Sequence, residues 1–226
     1  MSDAHTEIKK LWGILAVGQD SVLELRAIPP RGLPKELQPR VKHFRAARYP
    51  SVDSCKAAFE QEALTLNQDG YNVYTVMNPI RSDFSGPGAA KDPDIRYRDL
   101  LLIDIDRVGD TSVPADQAEL DAAYRLALAV KTDMAKRGWP QPFMVMRGNG
   151  YHLYYVLHGV GNTPEAEAMV RGTLTGLAAA FDNDVVGIDT TVFNASRITK
   201  VPGTIMRKGA ATEDRPHRMA VVCDEC

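Results

Sequence analysis

Hydrophobic and polar positions alternate from Ser21 to Ile28 with the period of a strand, and Pro29-Pro30, Gly32 and Pro34 turn the chain out of it into a loop. Apolar positions then return at helical spacing. Asp53 or Ser54 can cap a helix running to about Gln68, with Ala57, Ala58, Ala63 and Leu64 inward and Asp69-Gly70 as its stop. Tyr71 to Met77 is rich in β-branched and aromatic residues and ends at Asn78-Pro79, which reads as a second strand. Arg81 to Pro93, with Ser82, Asp83, Ser85, Gly86, Pro87 and Gly88, carries no period. It is the most loop-like stretch, a candidate internal boundary and a candidate closure over a ligand.

Leu100 to Ile105 is a continuous apolar run, as expected of a strand buried on both faces. A helix is predicted from about Ala115 to Arg137, entered through Pro114 and left through Gly138, Trp139 and Pro140. Phe143 to Met146 and Tyr151 to Leu157 flank Asn149-Gly150, the strongest short hairpin signal in the chain. Thr163-Pro164 opens another helix, in which Met169, Val170, Leu174, Leu177, Ala178 and Phe181 recur on one face. A last strand is expected where Asp189 leads into Thr190-Thr191-Val192-Phe193. From the middle onward the order is strand, helix, hairpin, helix, strand. That is the plan of a ferredoxin-like or RNA-recognition-like α+β sheet with one open face.

With 226 residues, 44% apolar and 25% charged, the chain can bury a core without staples. Cys55, Cys223 and Cys226 are too few and too odd in number for a secreted disulfide framework, which favours a reducing compartment and a cytoplasmic location. Met1 to Lys10 is polar and lacks the apolar core of a signal peptide, and no stretch approaches a membrane span. A net charge of -2 argues against bulk coating of nucleic acid, yet the basic residues cluster. Arg26 to Arg48 holds seven arginines and lysines, Arg45 and Arg48 among them, against Glu36 alone. Arg197 to Arg218 holds six against Glu213 and Asp214. These runs either meet phosphates or form solvated faces.

The chemistry lies in three short words. Asp104 and Asp106 leave one face of their strand about 6.6 to 6.8 Å apart along the backbone. Two carboxylates at the end of an apolar strand repel each other and resist desolvation, and a hard divalent cation removes both penalties. The alternative is that they mark a solvated strand end on the way to Gly109-Asp110. Gly148-Asn149-Gly150 suits a tight turn with exposed amides, and His152 follows on the next strand. Tyr151, Leu153, Tyr155 and Leu157 share one face of that strand. His152, Tyr154 and Val156 share the other; if the first set is core, His152 looks into the site, and otherwise it is a satisfied structural histidine. Asp189, unless a turn residue, adds the third carboxylate of a two-metal site, in which one Mg2+ or Mn2+ activates a primer hydroxyl and the other holds a triphosphate. Arg197 and Lys200 are cations near it, suited to the triphosphate or else part of a surface ion-pair face.

Taken together these words resemble the archaeo-eukaryotic primase superfamily, in particular the primase-polymerase domains of phage, plasmid and CRISPR-associated type. Asp104 and Asp106 match its strand-borne Asp-x-Asp, Gly148 to His152 its small-residue turn leading to histidine, and Ile188-Asp189 its hydrophobic residue followed by an acid. A basic box from Asn194 to Thr204 follows, with Arg207-Lys208-Gly209 and Arg215-Pro216-His217-Arg218 beyond. Glu24-Leu25-Arg26 and Tyr74 to Pro79 resemble the family's N-terminal α/β unit. Arg147 departs from the pattern, standing where relatives often carry serine.

The resemblance implies one primase-polymerase domain over residues 1–222, a modified RNA-recognition-like palm at about 91–222 packed on an N-terminal α/β unit at about 10–90. It implies Asp104, Asp106 and Asp189 as catalytic ligands of two divalent ions. Arg147, Gly148, Asn149, Gly150, His152, Arg197 and Lys200 would bind the nucleotide, an NTP or dNTP. Arg207, Lys208, Arg45 and Arg48 would meet a single-stranded DNA template and its primer. Cys223-Asp224-Glu225-Cys226 is half of a tetrahedral zinc site, or two plain thiols; as half a site it would begin a truncated C-terminal module, so that a zinc module or a helicase continues a longer protein. Two other readings compete. A metal-dependent nuclease or replication initiator would want a histidine pair and a positioned tyrosine. A non-catalytic RNA-recognition-like module would want exposed aromatics on the central strands, and Leu100 to Ile105 offers none and ends in acids hostile to a nucleic-acid backbone.

Overall fold

The computed structural model describes residues 3–30 and 38–223. It holds two antiparallel sheets that share one hydrophobic core. The first sheet has the order β2-β1-β3-β8, with β1 at Val22–Ile28, β2 at Arg40–Arg45, β3 at Asn72–Val76 and β8 at Ile198–Lys200. β8 thus returns from the far half of the chain to pair with β3, Thr75 lying opposite Thr199. α2 at Val52–Gln68 packs on this sheet, and α1 at Ala4–Ile14 packs against α2.

The second sheet is built from β4 (Tyr97–Arg107), α3 (Gln117–Lys136), β5 (Phe143–Met146), β6 (Tyr151–Gly161), α4 (Pro164–Phe181) and β7 (Val186–Ile188). Its order is β11-β5-β6-β4-β7, where β11 (Val221–Cys223) extends the edge beyond β5. All its pairings are antiparallel. Strand, helix, hairpin, helix, strand is therefore the observed order, and the fold is α+β. β9 (Ile205–Met206) and β10 (Arg218–Met219) form a small separate ribbon. No helix among the described residues is long and apolar enough to cross a membrane.

Several expectations need correction. α2 starts two or three residues earlier than predicted because Ser51, not Asp53 or Ser54, caps it in a reciprocal capping box with Ser54. Its core stripe runs through Cys55, Phe59, Ala63 and Leu66, which leaves Ala57 exposed. On α4 the stripe is Ala166, Val170, Leu174 and Leu177, and Met169 is 51% exposed on the other side. β7 precedes Asp189, and the stretch expected as a strand, Thr190 to Phe193, is a turn. The Arg81–Pro93 loop is tied down: the buried Glu24 carboxylate accepts from Ala90 N, Arg45 donates to Phe84 O and Asp92 accepts from Ser196 N. Arg31 and Lys35 of the first basic run, and Cys226, lie outside the described residues.

The β5–β6 connection is a four-residue loop in which Arg147 N donates to Gly150 O at 3.0 Å, rather than a two-residue Asn-Gly turn. Gly150 lies so close to β4 that a Cβ there would stand 2.2 Å from the carbonyl oxygen of Ile105. We predict that Gly150→Ala destabilises the protein by about 3 kcal/mol through this overpacking. Urea unfolding would measure the loss, and a midpoint equal to that of the wild type would refute the constraint.

Candidate active site

The cavity between the two sheets has a volume of about 450 Å³ and takes its lining from both. β4 brings Asp104 and Asp106, the turn after β7 brings Asp189, the β5–β6 loop brings Arg147 and β6 brings His152. From the other sheet come Tyr74 and Asn72 on β3 and Lys200 on β8, with Arg197 just before that strand. A larger hollow of about 630 Å³ beside residues 81–94 holds none of the motif residues, so size does not select the site.

Arg147 links the acidic pair. Its Nε lies 3.1 Å from Asp104 Oδ1 and its Nη2 2.7 Å from Asp106 Oδ2, with the side chain 11% exposed. Burial alone would raise the Asp104 carboxyl, but its neighbours, led by Arg147 and joined by His152 and Arg197, together outweigh it and hold Asp104 well below the usual carboxylate range. Burial works against the Arg147 charge as well, and the two aspartates more than restore it. Asp189 is pinned by its backbone, whose N–H donates to Asp104 O at 2.9 Å. Its Oδ1 accepts from the amide and hydroxyl of Thr191, while Oδ2 faces Arg197 Nη2 at 3.7 Å.

His152 stands 3.4 Å from Asp104 through Nε2. Its Nδ1 is 2.7 Å from the Tyr154 hydroxyl, which is in turn bonded to Thr199 Oγ1. Burial depresses the imidazole pKa despite Asp104, so the ring is neutral at pH 7. A neutral ring facing a carboxylate carries its proton on Nε2, which assigns Nδ1 as acceptor from Tyr154 O–H. Tyr154, raised above its ordinary pKa chiefly by burial, keeps that proton. Tyr154 and Thr199 escaped notice as site residues, although strand alternation had already put Tyr154 on the face of His152.

Lys200 is 2% exposed. Its Nζ donates to Ile205 O at 3.1 Å and lies over the Tyr74 ring at 5.5 Å, and no acid among the described residues pairs with it. Burial, and then Arg207 nearby, drive its pKa well below the ordinary lysine value. Arg207 and Lys208 also line the cavity. The arm that carries them is held by two asparagine side chains that mimic a strand partner. Asn67 bonds the N–H and C=O of Ile205 at 2.8 and 2.9 Å, and Asn72 bonds those of Arg207 at 2.7 Å each.

Gly148, Asn149 and Gly150 do not line the cavity. Asn149 is buried, its Oδ1 accepting from Ala115 N ahead of α3. Gly148 has φ +106°, and a Cβ there would lie 2.6 Å from Met206, so the loop packs against the basic arm. Arg45 and Arg48 are also away from the cavity; Arg45 anchors the Phe84 loop and Arg48 is exposed. Among the described residues, no three His, Cys, Asp or Glu side chains are spaced to hold a metal ion as they stand.

Between the lowered pKa of folded Lys200 and the ordinary lysine value of about 10.4, the unfolded chain binds a proton that the folded chain lacks, so stability rises with pH across that interval. We predict that Lys200→Met is at least as stable as the wild type at pH 7 and has a flatter pH dependence of stability from pH 7 to 10. Urea unfolding at three pH values would read both, and parallel slopes for the two proteins would refute the burial effect.

No protein-family model matches the sequence, and a comparison with curated proteins finds no relative. Solved structures do match. The AEP domain of the cyanophage S-2L primase-polymerase superposes with a TM-score of 0.58 at 19% identity, covering 96% of this chain and 88% of its own. The primase RepB′ gives 0.53 at 12% identity, covering 98% of this chain and 56% of its own. The chain therefore has the fold of archaeo-eukaryotic primase-polymerase domains.

Proposed function

We propose that the chain is a template-dependent nucleotidyltransferase of the archaeo-eukaryotic primase superfamily, a DNA primase-polymerase that synthesises or extends primers on single-stranded DNA from nucleoside triphosphates. The observation that carries this reading is the meeting of Asp104, Asp106 and Asp189 with Arg147, His152, Arg197 and Lys200 around one cavity, although five elements supply them. The fold shared with primase-polymerase domains adds to it.

Carboxylate oxygens are the donors that Mg2+ or Mn2+ takes, and Asp104 is held ionised, so the donor set suits such ions. Arg147 and Arg197 now pair with these oxygens, so an ion would share or displace those contacts. Bound by Asp104, Asp106 and Asp189, two divalent ions would activate a primer 3′-hydroxyl and neutralise charge on the triphosphate.

The rest of the work falls to the chain itself. His152 presents Nε2–H, its tautomer set by Tyr154 and Thr199, and donates it to a phosphate oxygen. Arg197 offers its fork to the same tail. Lys200 pairs with no acid among the described residues, and a polyphosphate in the cavity supplies a counter-charge that favours the ammonium form and makes it a ligand. Arg207 and Lys208, on the asparagine-held arm, meet template or primer phosphates. Rate enhancement then comes from positioning and charge neutralisation.

Incubated with single-stranded DNA, labelled nucleotides and Mg2+ or Mn2+, with and without primer, the wild type is expected to make labelled products. Asp104→Ala/Asp106→Ala should reduce them by about 100-fold or more. Products undiminished in the double variant would remove these residues from the mechanism.

A further inference from the structure

Resting on the reading of Asp104, Asp106 and Asp189 as ion ligands, we propose that Arg147 is a built-in counter-ion that keeps divalent ions off Asp104 and Asp106 until a nucleoside triphosphate draws it away. One guanidinium bridges both carboxylates, using Nε for one and Nη2 for the other. It therefore holds the oxygens a cation would need, and it does so where little water screens the pair, the Arg147 and Asp104 side chains being 11% and 12% exposed. The acidic pair carries two negative charges, and Arg147 cancels one. A divalent ion arriving alone meets a half-neutralised pair with a fixed positive charge against it.

Release is a side-chain event. The backbone of Arg147 is locked by its hydrogen bond to Gly150 O, and the next residue, Gly148, is packed on Met206, so the loop has no room to carry the charge away. The guanidinium can rotate into the cavity it already lines, where its planar fork fits two phosphate oxygens as well as it fits two carboxylates. Arg197 plays no equivalent part, since its contact with Asp189 is a single one at 3.7 Å. Ion and triphosphate then bind cooperatively, and each raises the affinity of the other by the same factor.

The test is titration with Mn2+ followed by electron paramagnetic resonance. It uses the full chain with and without a non-hydrolysable α,β-methylene nucleoside triphosphate, as wild type, Arg147→Ser, Arg147→Lys and Asp104→Ala/Asp106→Ala. Without nucleotide, Arg147→Ser is expected to bind Mn2+ at least tenfold more tightly than the wild type. Arg147→Lys, whose single ammonium cannot span both carboxylates, should bind severalfold more tightly. Nucleotide should tighten Mn2+ binding to the wild type much more than to either variant. Thermal melts check the fold of Arg147→Ser, and if it does not fold the lysine variant decides. Equal nucleotide-free affinities for the wild type and the folded variants, with binding still lost in the double aspartate variant, would overturn the role of Arg147 and leave the site in place. Mn2+ binding that ignores Asp104 and Asp106 under every condition would overturn the site itself, and this proposal with it.

Discussion

Two acidic side chains on the end of a buried strand create the problem that the surrounding structure answers. Asp104 lies in an interior strand of its sheet, paired on both sides, where desolvation favours a neutral carboxyl, and Asp106 two residues on adds a like charge. Arg147 resolves both difficulties with one planar group. It has to come from the β5–β6 loop, and that loop has to pass close to β4, which leaves Gly150 no space for a side chain. The loop is then braced from outside by Met206 on the basic arm and by the buried Asn149 at the entrance to α3. Charge compensation at one spot thus reaches into the geometry of both the hairpin and the arm.

The cations divide sharply between those committed to structure and those facing the cavity. Most described members of the first basic run are occupied: Arg26 with Glu24 and Ala90 O, Lys42 with Glu62, Arg45 with Phe84 O, and Arg40 over the Tyr71 ring. In the second run, Arg215 joins Asp116 and Glu119 at the start of α3. Burial would raise the Glu119 carboxyl, but hydrogen bonds led by that from Arg215 bring it down to about 2. Arg197, Lys200, Arg207 and Lys208 remain around the cavity. Equal clustering in sequence conceals unequal placement, because acids and carbonyls from distant elements decide which cations are drawn away from the cavity.

The palm-like half was legible because its elements are long and regularly patterned. Apolar Leu100 to Ile105, the Thr163-Pro164 helix start and the alternation of Tyr151 to Leu157 each follow from local rules, and together they give the observed order of elements from β4 to β7. The convergence of Asp104, Asp106, His152 and Asp189 on one cavity followed from spacing and resemblance. What stayed hidden has non-local causes. α1 carries a polar sequence and buries only Glu7, Ile8, Leu11 and Ile14, one of them charged and bonded to Val222 N on β11. β2 is mostly exposed and basic and exists because β1 offers it a ladder. The Asn149-Gly150 dipeptide looked like a tight turn, but tertiary packing drew its asparagine inward. The Thr199 hydroxyl behind His152 sits 47 residues away in sequence, beyond the reach of any local pattern.

β8 crosses from the palm-like half to the other sheet, and the core runs through both. The two layers are therefore not separable pieces of chain. A cut in the loop at 81–93 would leave the first fragment with β3 as an unprotected edge and the second with a strand that has lost its partner. Such fragments would aggregate alone and complement each other when mixed, re-forming the cavity only as they reunite, which makes that loop a natural seam for a split reporter of the folded state.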